Sequence, residues 1–222
     1  MIQVINLTKR YGPKAAIHNI SFSIGDSEVI GVFGPGGAGK TTLVRLLAGC
    51  ALPSHGRVSV CGYDTATHGL EVRKRVGYLT QKAAIYTDMT VENFLTYAAR
   101  LHHLENYDQR VEECLATFNL SDCAKVLIER LSHFQRQEIR LVQVLLHQPS
   151  ILILDEPTAG FDPEQIVGLH RLIKASLGNR TVILATQIWS EVEQFCNRAL
   201  VLNDGCLAKE YDLRGLVHPI SH

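Results

Sequence analysis

Short apolar and β-branched runs, separated by turn residues, make up most of the beginning of the chain. Runs of this length between turn residues are typical of β-strands. One helical pattern interrupts them from about residue 39 to residue 49, where Gly49 is a candidate C-cap. The beginning of the chain is therefore predicted to be mostly sheet. The strand-like runs are 2–7, 20–24, 29–33 and 58–61.

A helical period replaces the strand pattern from residue 83 to about residue 146, with Thr90 as the predicted N-cap of the first helix. Strand patterns then return, and a helical pattern at about 165–177 joins the first two of them as in a βαβ unit. Asn203-Asp204-Gly205 predicts a hairpin turn into the last strand. Together these patterns predict an α/β protein with a helical insertion. The returning strands are 151–154, 181–185, 199–202 and 206–209.

The composition excludes several classes of protein. The chain has 222 residues, 46% of them hydrophobic, which is enough to bury one sizeable core. Its 22 basic and 22 acidic side chains cancel, so no global positive field gathers nucleic acid. No apolar run approaches the roughly 20 residues that cross a bilayer, and the first residues lack a secretion signal. We therefore expect a cytosolic chain without a nucleic-acid partner, whose membrane contacts are local.

The strongest chemical signal is the segment 34–42, GPGGAGKTT, which follows a predicted strand and opens a predicted helix. This is the pattern of a phosphate-binding loop, G-x-x-x-x-G-K-[ST]. Its glycines let backbone N–H groups wrap a phosphate, and the helix N-terminus adds partial positive charge. Lys40 is predicted to reach the β- and γ-phosphates, and Thr41 to offer its hydroxyl to Mg²⁺. The predicted nucleotide-binding residues of the loop are Gly34, Pro35, Gly36, Gly37, Ala38, Gly39, Lys40, Thr41 and Thr42.

The apolar run 151–154 ends in two acids, Asp155 and Glu156. A buried parallel strand whose carboxyl end reaches an active-site crevice has this pattern. Two carboxylates in one place need counter-charge, which MgATP would supply. We predict that Asp155 binds Mg²⁺ through water and that Glu156 polarises the attacking water as general base. The alternative is that both acids only cap the turn before Pro157.

A phosphate loop and an acidic strand end occur in GTPases, kinases, motors and transporters alike. Further motifs, in a diagnostic order, make the segment 4–209 resemble the ABC-type ATPases. Tyr11 in KRYG resembles the family's adenine-stacking aromatic, and Gln81 in VGYLTQ resembles the glutamine that contacts Mg²⁺ or the attacking water. Residues 131–135, LSHFQ, resemble the signature LSGGQ, and residues 157–162, PTAGFD, resemble the loop after the acidic strand.

The resemblance implies a P-loop NTPase fold of the ABC ATPase type, with a mixed sheet core, an antiparallel β subdomain and an inserted helical subdomain. It implies a single ABC ATPase domain over residues 1–222. Within that domain, the sheet core would comprise 1–81 and 147–222, and the helical subdomain with the signature would comprise about 82–146.

The family binds ATP between two cassettes, so the resemblance also implies a head-to-tail dimer of identical or different subunits. Ser132 and Gln135 of one subunit would reach the nucleotide that the other holds. The ATPase would drive a separate transmembrane permease, which selects the substrate and holds the ATPase at the inner face of the cell membrane. The segment 82–104 resembles exporter-type ATPases most, and an importer is the alternative. The apolar segment 83–89 is a candidate docking groove for the permease.

Two motifs depart from the family pattern. His133 and Phe134 stand where the signature has two glycines, and their side chains are predicted to keep the backbone away from the partner's γ-phosphate. Gln187 stands where the family has a catalytic histidine, and an amide cannot carry positive charge. We therefore predict slow hydrolysis of ATP, which restoring both glycines and the histidine should accelerate.

The main alternative is an ATP-binding subunit with a regulatory or structural role, beside a fully equipped partner in a heterodimer. Retention of Glu156 favours an enzyme over that alternative. The soluble ABC proteins of translation or DNA repair form another class, but they need tandem cassettes or a long coiled-coil insertion. A neutral chain of 222 residues has neither feature.

Overall fold

The computed structural model describes residues 1–81 and 85–214. These residues form two compact units, which we call the sheet unit and the helical unit. Of the predicted docking groove, residues 83 and 84 lie outside the described residues. Of the described residues, the sheet unit consists of Met1–Tyr78, Ser150–Pro157 and 179–214, and the helical unit consists of 79–81, 85–149 and Thr158–Gly178.

The first sheet of the sheet unit is antiparallel, with the strand order β2-β1-β4-β5. Ile2, Val4 and Leu7 of β1 are buried on the core side, and a register irregularity between Val4 and Leu7 shifts the alternation by one residue. A turn at Gly12-Pro13 lies between β1 and β2. The elements are β1 (Ile2–Tyr11), β2 (Lys14–Ile24), β4 (His55–Val60), β5 (Tyr63–Asp64) and the short helix α2 (Gly69–Arg73).

The second sheet has the order β10-β9-β3-β8-β7-β6, with parallel pairing from β9 to β7 and an antiparallel β10. All five residues of β7 are buried, which explains the continuous apolar run in the sequence. The predicted parallel pair β7–β8 and the predicted hairpin β9–β10 are confirmed. The strands are β3 (Val29–Phe33), β6 (Val76–Leu79), β7 (Ile151–Asp155), β8 (Thr181–Thr186), β9 (Arg198–Asn203) and β10 (Cys206–Asp212).

Two helices of the sheet unit bear on the candidate site. α1 (Lys40–Leu47) buries Leu43, Val44, Leu46 and Leu47 in the core of this unit. α7 (Trp189–Phe195) packs closely on β3, because a Cβ added to Gly31 would lie only 2.7 Å from a methyl group of Val192. Glycine at position 31 thus permits the close approach of α7 to the strand that leads into the phosphate loop.

Among the described residues of the helical unit, three longer helices surround an apolar core, and a fourth packs on one of them. The predicted N-cap is confirmed, since the Thr90 side chain accepts a hydrogen bond from the backbone of Asn93. None of the helices within the described residues has the length and apolar character that a membrane span requires. The helices are α3 (Val91–Leu101), α4 (Tyr107–Thr117), α5 (His133–Leu145) and α6 (Pro163–Leu177), with 3₁₀ turns at Ser121–Cys123 and Ile128–Arg130.

The two side chains that replace the signature glycines behave differently. The ring of Phe134 packs inside the helical unit, with its centroid 5.8 Å from that of Phe161 in an edge-on arrangement. A Cβ added to Gly168 of α6 would lie 3.0 Å from the Phe134 ring, so glycine makes room for it. His133 is exposed and lies against Phe161 with a centroid distance of 4.9 Å. Of the two side chains predicted to keep the backbone away from a partner's γ-phosphate, His133 is exposed and Phe134 packs against its own unit.

This difference predicts unequal effects on stability. Phe134→Ala should lower the free energy of unfolding by about 2 kcal/mol, below the usual cost for a fully buried ring because Phe134 is half-buried. His133→Ala, the matched change one residue earlier, should alter it by less than about 0.5 kcal/mol. Equilibrium urea unfolding of both variants measures the difference. Equal losses would contradict the inward packing of Phe134.

Candidate functional site

The phosphate loop runs from the end of β3 to the start of α1, and two of its glycines are required by close packing. A Cβ added to Gly34 would lie 2.4 Å from the carbonyl oxygen of Leu202. Gly39 has φ of 102°, and a Cβ there would lie 2.5 Å from the carbonyl oxygen of Ala16. Around Gly36, no described atom lies within 4 Å of an added Cβ. The loop thus needs glycine at positions 34 and 39 for its own conformation.

A turn from the far end of the sequence holds this loop. The backbone N–H of Gly205, in the β9–β10 hairpin, donates to the carbonyl of Ala38 at 3.0 Å. The carbonyl of Gly205 accepts from the backbone N–H of His18 on β2 at 2.8 Å. The hairpin therefore fixes the phosphate loop against the antiparallel sheet. The sequence predicted the turn, and no local signal in it indicated this contact.

Lys40 is buried, with 6% of its side chain exposed, and is held by three acceptors. Its ammonium donates to the carbonyls of Gly34 at 2.8 Å and Pro35 at 3.1 Å. It also forms an ion pair with Glu156, at 3.1 Å between Nζ and Oε1, and the Glu156 side chain is only 10% exposed. A phosphate that binds to Lys40 competes with the Glu156 carboxylate for the same donor.

Glu156 has an unusual backbone as well as a buried carboxylate. Its φ is 49°, in the left-handed region that residues other than glycine rarely adopt. The residue follows β7 directly, and its N–H donates to the carbonyl of Ala185 on β8 at 2.8 Å. Backbone strain of this kind, held by the neighbouring sheet, clusters at functional sites. The conformation is consistent with a catalytic position for this carboxylate.

Asp155 is 1% exposed and lies beside the first turn of α1. It accepts from the hydroxyl of Thr41 at 3.1 Å and from the hydroxyl of Tyr78 at 3.4 Å. Burial raises the pKa of the Asp155 carboxyl, and nearby Glu156 raises it further, whereas the two hydrogen bonds and the charge of Lys40 oppose the rise. The pKa of Tyr78 is also raised, first by burial and then by Asp155. No pattern in the sequence indicates Tyr78 as a partner of this carboxylate.

A cavity of about 320 Å³ extends from the loop to Tyr11, with Lys40, Thr41, Thr42 and Asp204 among the residues that line it. Its volume is in the range of small-molecule sites. The Tyr11 side chain is half exposed, and Lys9 places its ammonium 5.0 Å from the ring centroid. An aromatic ring at one end and a phosphate loop at the other suit the base and the phosphates of a nucleotide.

Gln187 is exposed on the short link between β8 and α7. The hydroxyl of Thr186 donates to the carboxylate of Glu191 at 2.6 Å and accepts from the N–H of Ile188 at 3.0 Å. Both Thr186 and Glu191 are buried. The link that carries Gln187 is thereby attached to the sheet at one end.

Three other predicted site residues belong to the helical unit. Ser132 and Gln135 form a capping box at the start of α5: Gln135 N–H donates to Ser132 Oγ at 3.1 Å, and Ser132 N–H donates to Gln135 Oε1 at 3.0 Å. The hydroxyl proton of Ser132 is not used in this box, so it can donate to a ligand. Gln81 is exposed and precedes the residues outside the described part of the chain.

The raised pKa of Asp155 predicts a pH-dependent gain in stability for Asp155→Asn without nucleotide and Mg²⁺. A carboxyl whose folded-state pKa is raised destabilises the fold as pH rises through that pKa. The variant should therefore have a higher free energy of unfolding than the parent at pH 7, and the gap should close below pH 4, where the unfolded carboxyl is also protonated. Urea unfolding across this range measures it. Asp26→Asn, at an exposed acid, is the control, and an equal gain there would contradict the cause given.

Comparison with known proteins identifies the family. The ABC transporter family matches residues 17–159. A daunorubicin resistance ATP-binding protein of Streptomyces coeruleorubidus is 35% identical over 212 residues, which cover 94% of this chain and 67% of that protein. A bacitracin transport ATP-binding protein of Bacillus licheniformis is 30% identical over 212 residues, which cover 95% of this chain and 69% of that protein.

The fold is that of known ATP-binding cassettes. A dimeric cassette solved in a post-hydrolysis state with ADP and Pi matches with a TM-score of 0.85 at 24% identity, over 97% of this chain and 100% of that one. This likeness confirms the predicted P-loop NTPase fold of the ABC ATPase type. Together with the family match over residues 17–159, it leads to one identification. The chain belongs to the ABC transporter family, as an ATP-binding subunit with the ATPase fold and function of that family.

Proposed function

We propose that this subunit binds MgATP in the cavity of the sheet unit and hydrolyses it to drive export through a separate transmembrane permease. The cluster of Lys40, Thr41, Asp155 and Glu156 carries the proposal. It combines a cation for phosphates, a hydroxyl–carboxylate pair for Mg²⁺ and a second carboxylate for the attacking water. Positioning and charge stabilisation of this kind are what phosphoryl transfer to water requires.

The residues present fit a magnesium ion. Mg²⁺ prefers oxygen ligands, uses few of them from the protein and keeps several waters. The Thr41 hydroxyl and the Asp155 carboxylate lie 3.1 Å apart and would hold it, with Gln81 as a further predicted ligand. When bound, Mg²⁺ would neutralise charge on the β- and γ-phosphates. The buried Asp155 carboxylate would gain a counter-charge from it.

Binding of nucleotide would rearrange the Lys40–Glu156 ion pair. Lys40 would exchange the carboxylate for phosphate oxygens, because both acceptors compete for one ammonium. Glu156 would then be free to accept a proton from the attacking water. Tyr11 would stack on the adenine, and Gln187 would donate its amide hydrogen to the γ-phosphate. Each residue acts in the sheet unit that contains the cavity.

The proposed partners are a second cassette and a permease. A dimer is supported by the dimeric cassette to which the fold is similar, and Ser132 and Gln135 would serve the nucleotide held by the partner. Export is supported by the relatives, one a daunorubicin resistance protein and the other a bacitracin transport protein. The permease would select the substrate and hold the subunit peripherally at the inner face of the cell membrane.

The departures from the family pattern support slow hydrolysis. Gln187 can donate a hydrogen bond to the transferring phosphoryl group but brings no positive charge. His133 is exposed where the signature has glycine, whereas Phe134 packs within its own unit. These replacements also favour the second candidate, a catalytically weak ATP-binding subunit that works beside a fully equipped cassette in a heterodimer. Turnover of the isolated subunit distinguishes the two.

The first expected outcome is phosphate release from the purified subunit with MgATP that depends on Glu156. Glu156→Gln should reduce the rate at least about 100-fold, as expected for loss of a general base. The variant should still bind ATP, because the change also releases Lys40 from its ion pair. Steady-state phosphate release and equilibrium nucleotide binding measure both properties.

Glu164→Gln, at an exposed acid in the first turn of α6, is the matched control and should keep the parental rate. The proposed hydrolysis would be overturned if the parent bound ATP tightly but released phosphate no faster than the Glu156→Gln variant. That result would favour the subunit that needs a different partner or closes around ATP without turnover.

The second expected outcome concerns the residues that replace the family's histidine and signature glycines. Gln187→His should raise turnover by roughly 10²-fold, the scale on which charged or well-placed donors act at a developing negative charge. His133→Gly should raise it further by letting the backbone approach the partner's nucleotide. Phe134 should be kept, because its ring supports the helical unit. Unchanged phosphate release from the double variant, with nucleotide binding intact, would show that the departures are compensated and that the explanation for slow hydrolysis is wrong.

A further inference from the structure

Three aromatic side chains form a continuous row in the sheet unit. The ring of Trp189, the first residue of α7, contacts Phe33 edge-on, with 5.0 Å between centroids and an interplanar angle of 77°. On another side it contacts Tyr211 of β10, with 5.6 Å between centroids and an angle of 67°. Edge-to-face contacts at these distances are favourable and directional. We call Phe33, Trp189 and Tyr211 the aromatic row.

The aromatic row joins two parts of the candidate site. Phe33 is the last residue of β3 and directly precedes Gly34, the first glycine of the phosphate loop. Trp189 is two residues beyond Gln187. A contact between these rings therefore links the residue before the phosphate loop to the helix end after Gln187.

The indole of Trp189 is also fixed by a polar contact. Its Nε1–H donates to the carboxylate of Glu193, one turn further along α7, at 2.7 Å. The ammonium of Lys209 lies over the ring of Tyr211, the other aromatic neighbour of Trp189, at 4.4 Å from the ring centroid. Trp189 is thus restrained by two rings and one charged hydrogen bond, which leaves its side chain little freedom to change rotamer.

The link that carries Gln187 is consequently held at both ends. At the β8 end, the buried Thr186–Glu191 hydrogen bond anchors it to the sheet and to α7. At the α7 end, Trp189 anchors it to Phe33. Only Gln187 and Ile188 lie between the two anchors, and both are exposed. The backbone of Gln187 can therefore move little relative to the phosphate loop.

We propose that Trp189 is a positioning residue, which holds Gln187 at a fixed position relative to the phosphate loop through its contact with Phe33. The inference rests on the proposed function, in which Gln187 contacts the γ-phosphate held by that loop. It adds to that function a residue that acts on the γ-phosphate through Gln187.

The chemistry of glutamine makes this positioning matter. A protonated histidine attracts a phosphate by its charge, which falls off gradually with distance. A neutral amide acts only through a hydrogen bond, which weakens steeply when its angle or distance departs from the optimum. A displacement of about 1 Å at a reacting centre can cost about 10²-fold in rate. A restrained link is therefore worth more to a glutamine than to a charged side chain.

Fluorescence tests the proposal directly, because Trp189 is the one tryptophan of the chain. The experiment uses the Glu156→Gln background, in which ATP persists, and compares the emission shift on saturation with MgATP and with MgADP. Because the link is stiff and Gln187 lies two residues from Trp189, a hydrogen bond from Gln187 to the γ-phosphate is transmitted to the indole and changes its surroundings. We therefore expect a larger shift with MgATP than with MgADP, which lacks that phosphate. Adding Gln187→Ala should abolish the difference between the two nucleotides while both still bind. Ile188→Ala, at the neighbouring exposed position, should preserve the difference.

Equal shifts for the two nucleotides, or a difference that persists without Gln187, would overturn the proposal. Failure of either nucleotide to bind would overturn the proposed function itself, and equilibrium binding measured in parallel identifies that case. The fluorescence comparison does not depend on hydrolysis, so absent turnover in the parent leaves it decisive.

A double-mutant cycle provides the kinetic test. Trp189→Ala should lower kcat for MgATP about tenfold, on the scale of a misplaced catalytic contact, with KM changed less than about twofold. Trp189→Phe, which keeps an aromatic ring against Phe33, should restore most of the loss. In the Gln187→Ala background, Trp189→Ala should cause no further loss. Independent losses in that background, or a fall in kcat for Trp189→Phe equal to that for Trp189→Ala, would show a structural role only.

Discussion

The buried ion pair between Lys40 and Glu156 is the interaction on which the site depends. It joins the phosphate loop to the acidic end of β7, with both side chains almost inaccessible to water. A buried pair has to offset a desolvation cost, and removal of one partner leaves an uncompensated charge. Asp155 adds a second buried carboxylate beside this pair, so the cluster has one positive and two negative side chains. Burial raises the pKa of Asp155, and the charge of Glu156 raises it further. The excess of one negative side chain in the cluster suits the binding of a divalent cation.

The geometry of this pair relies on segments distant in sequence. Gly34 and Gly39 allow the loop to lie against Leu202 and Ala16, where any Cβ would collide with a carbonyl oxygen. The Gly205 turn donates one backbone hydrogen bond to the same loop, at Ala38, and accepts one from His18 on β2. Late strands of the sheet thus shape a loop near the start of the chain. The loop sequence shows which positions are glycine. It does not show the neighbouring carbonyl groups that exclude a Cβ there, because these belong to segments distant in sequence.

The sequence predicted the features that have a local cause. The loop motif, the apolar run of β7, the Thr90 cap and the β9–β10 turn each depend on a few adjacent residues, and the structure contains all of them. The contacts it failed to predict are long-range. Tyr78 donates to Asp155 across 77 positions, and no residue near either of them signals that contact. The inward ring of Phe134 depends on the space over Gly168, which exists only once α5 and α6 are packed.

The two departures from the family pattern therefore differ in physical kind. The inward packing of Phe134 ties one signature replacement to the stability of the helical unit, and only His133 stays exposed to affect a partner. Gln187, by contrast, lies on a link anchored by Thr186 and Trp189. The interaction of an uncharged donor depends on direction more than that of a cation does. Replacement of the histidine by glutamine therefore lowers the catalytic rate least when the link that holds the side chain is fixed. A site that had abandoned hydrolysis would have no need of that restraint, nor of the strained, buried carboxylate of Glu156. Both features favour an enzyme that hydrolyses ATP slowly over a subunit that closes around ATP without turnover.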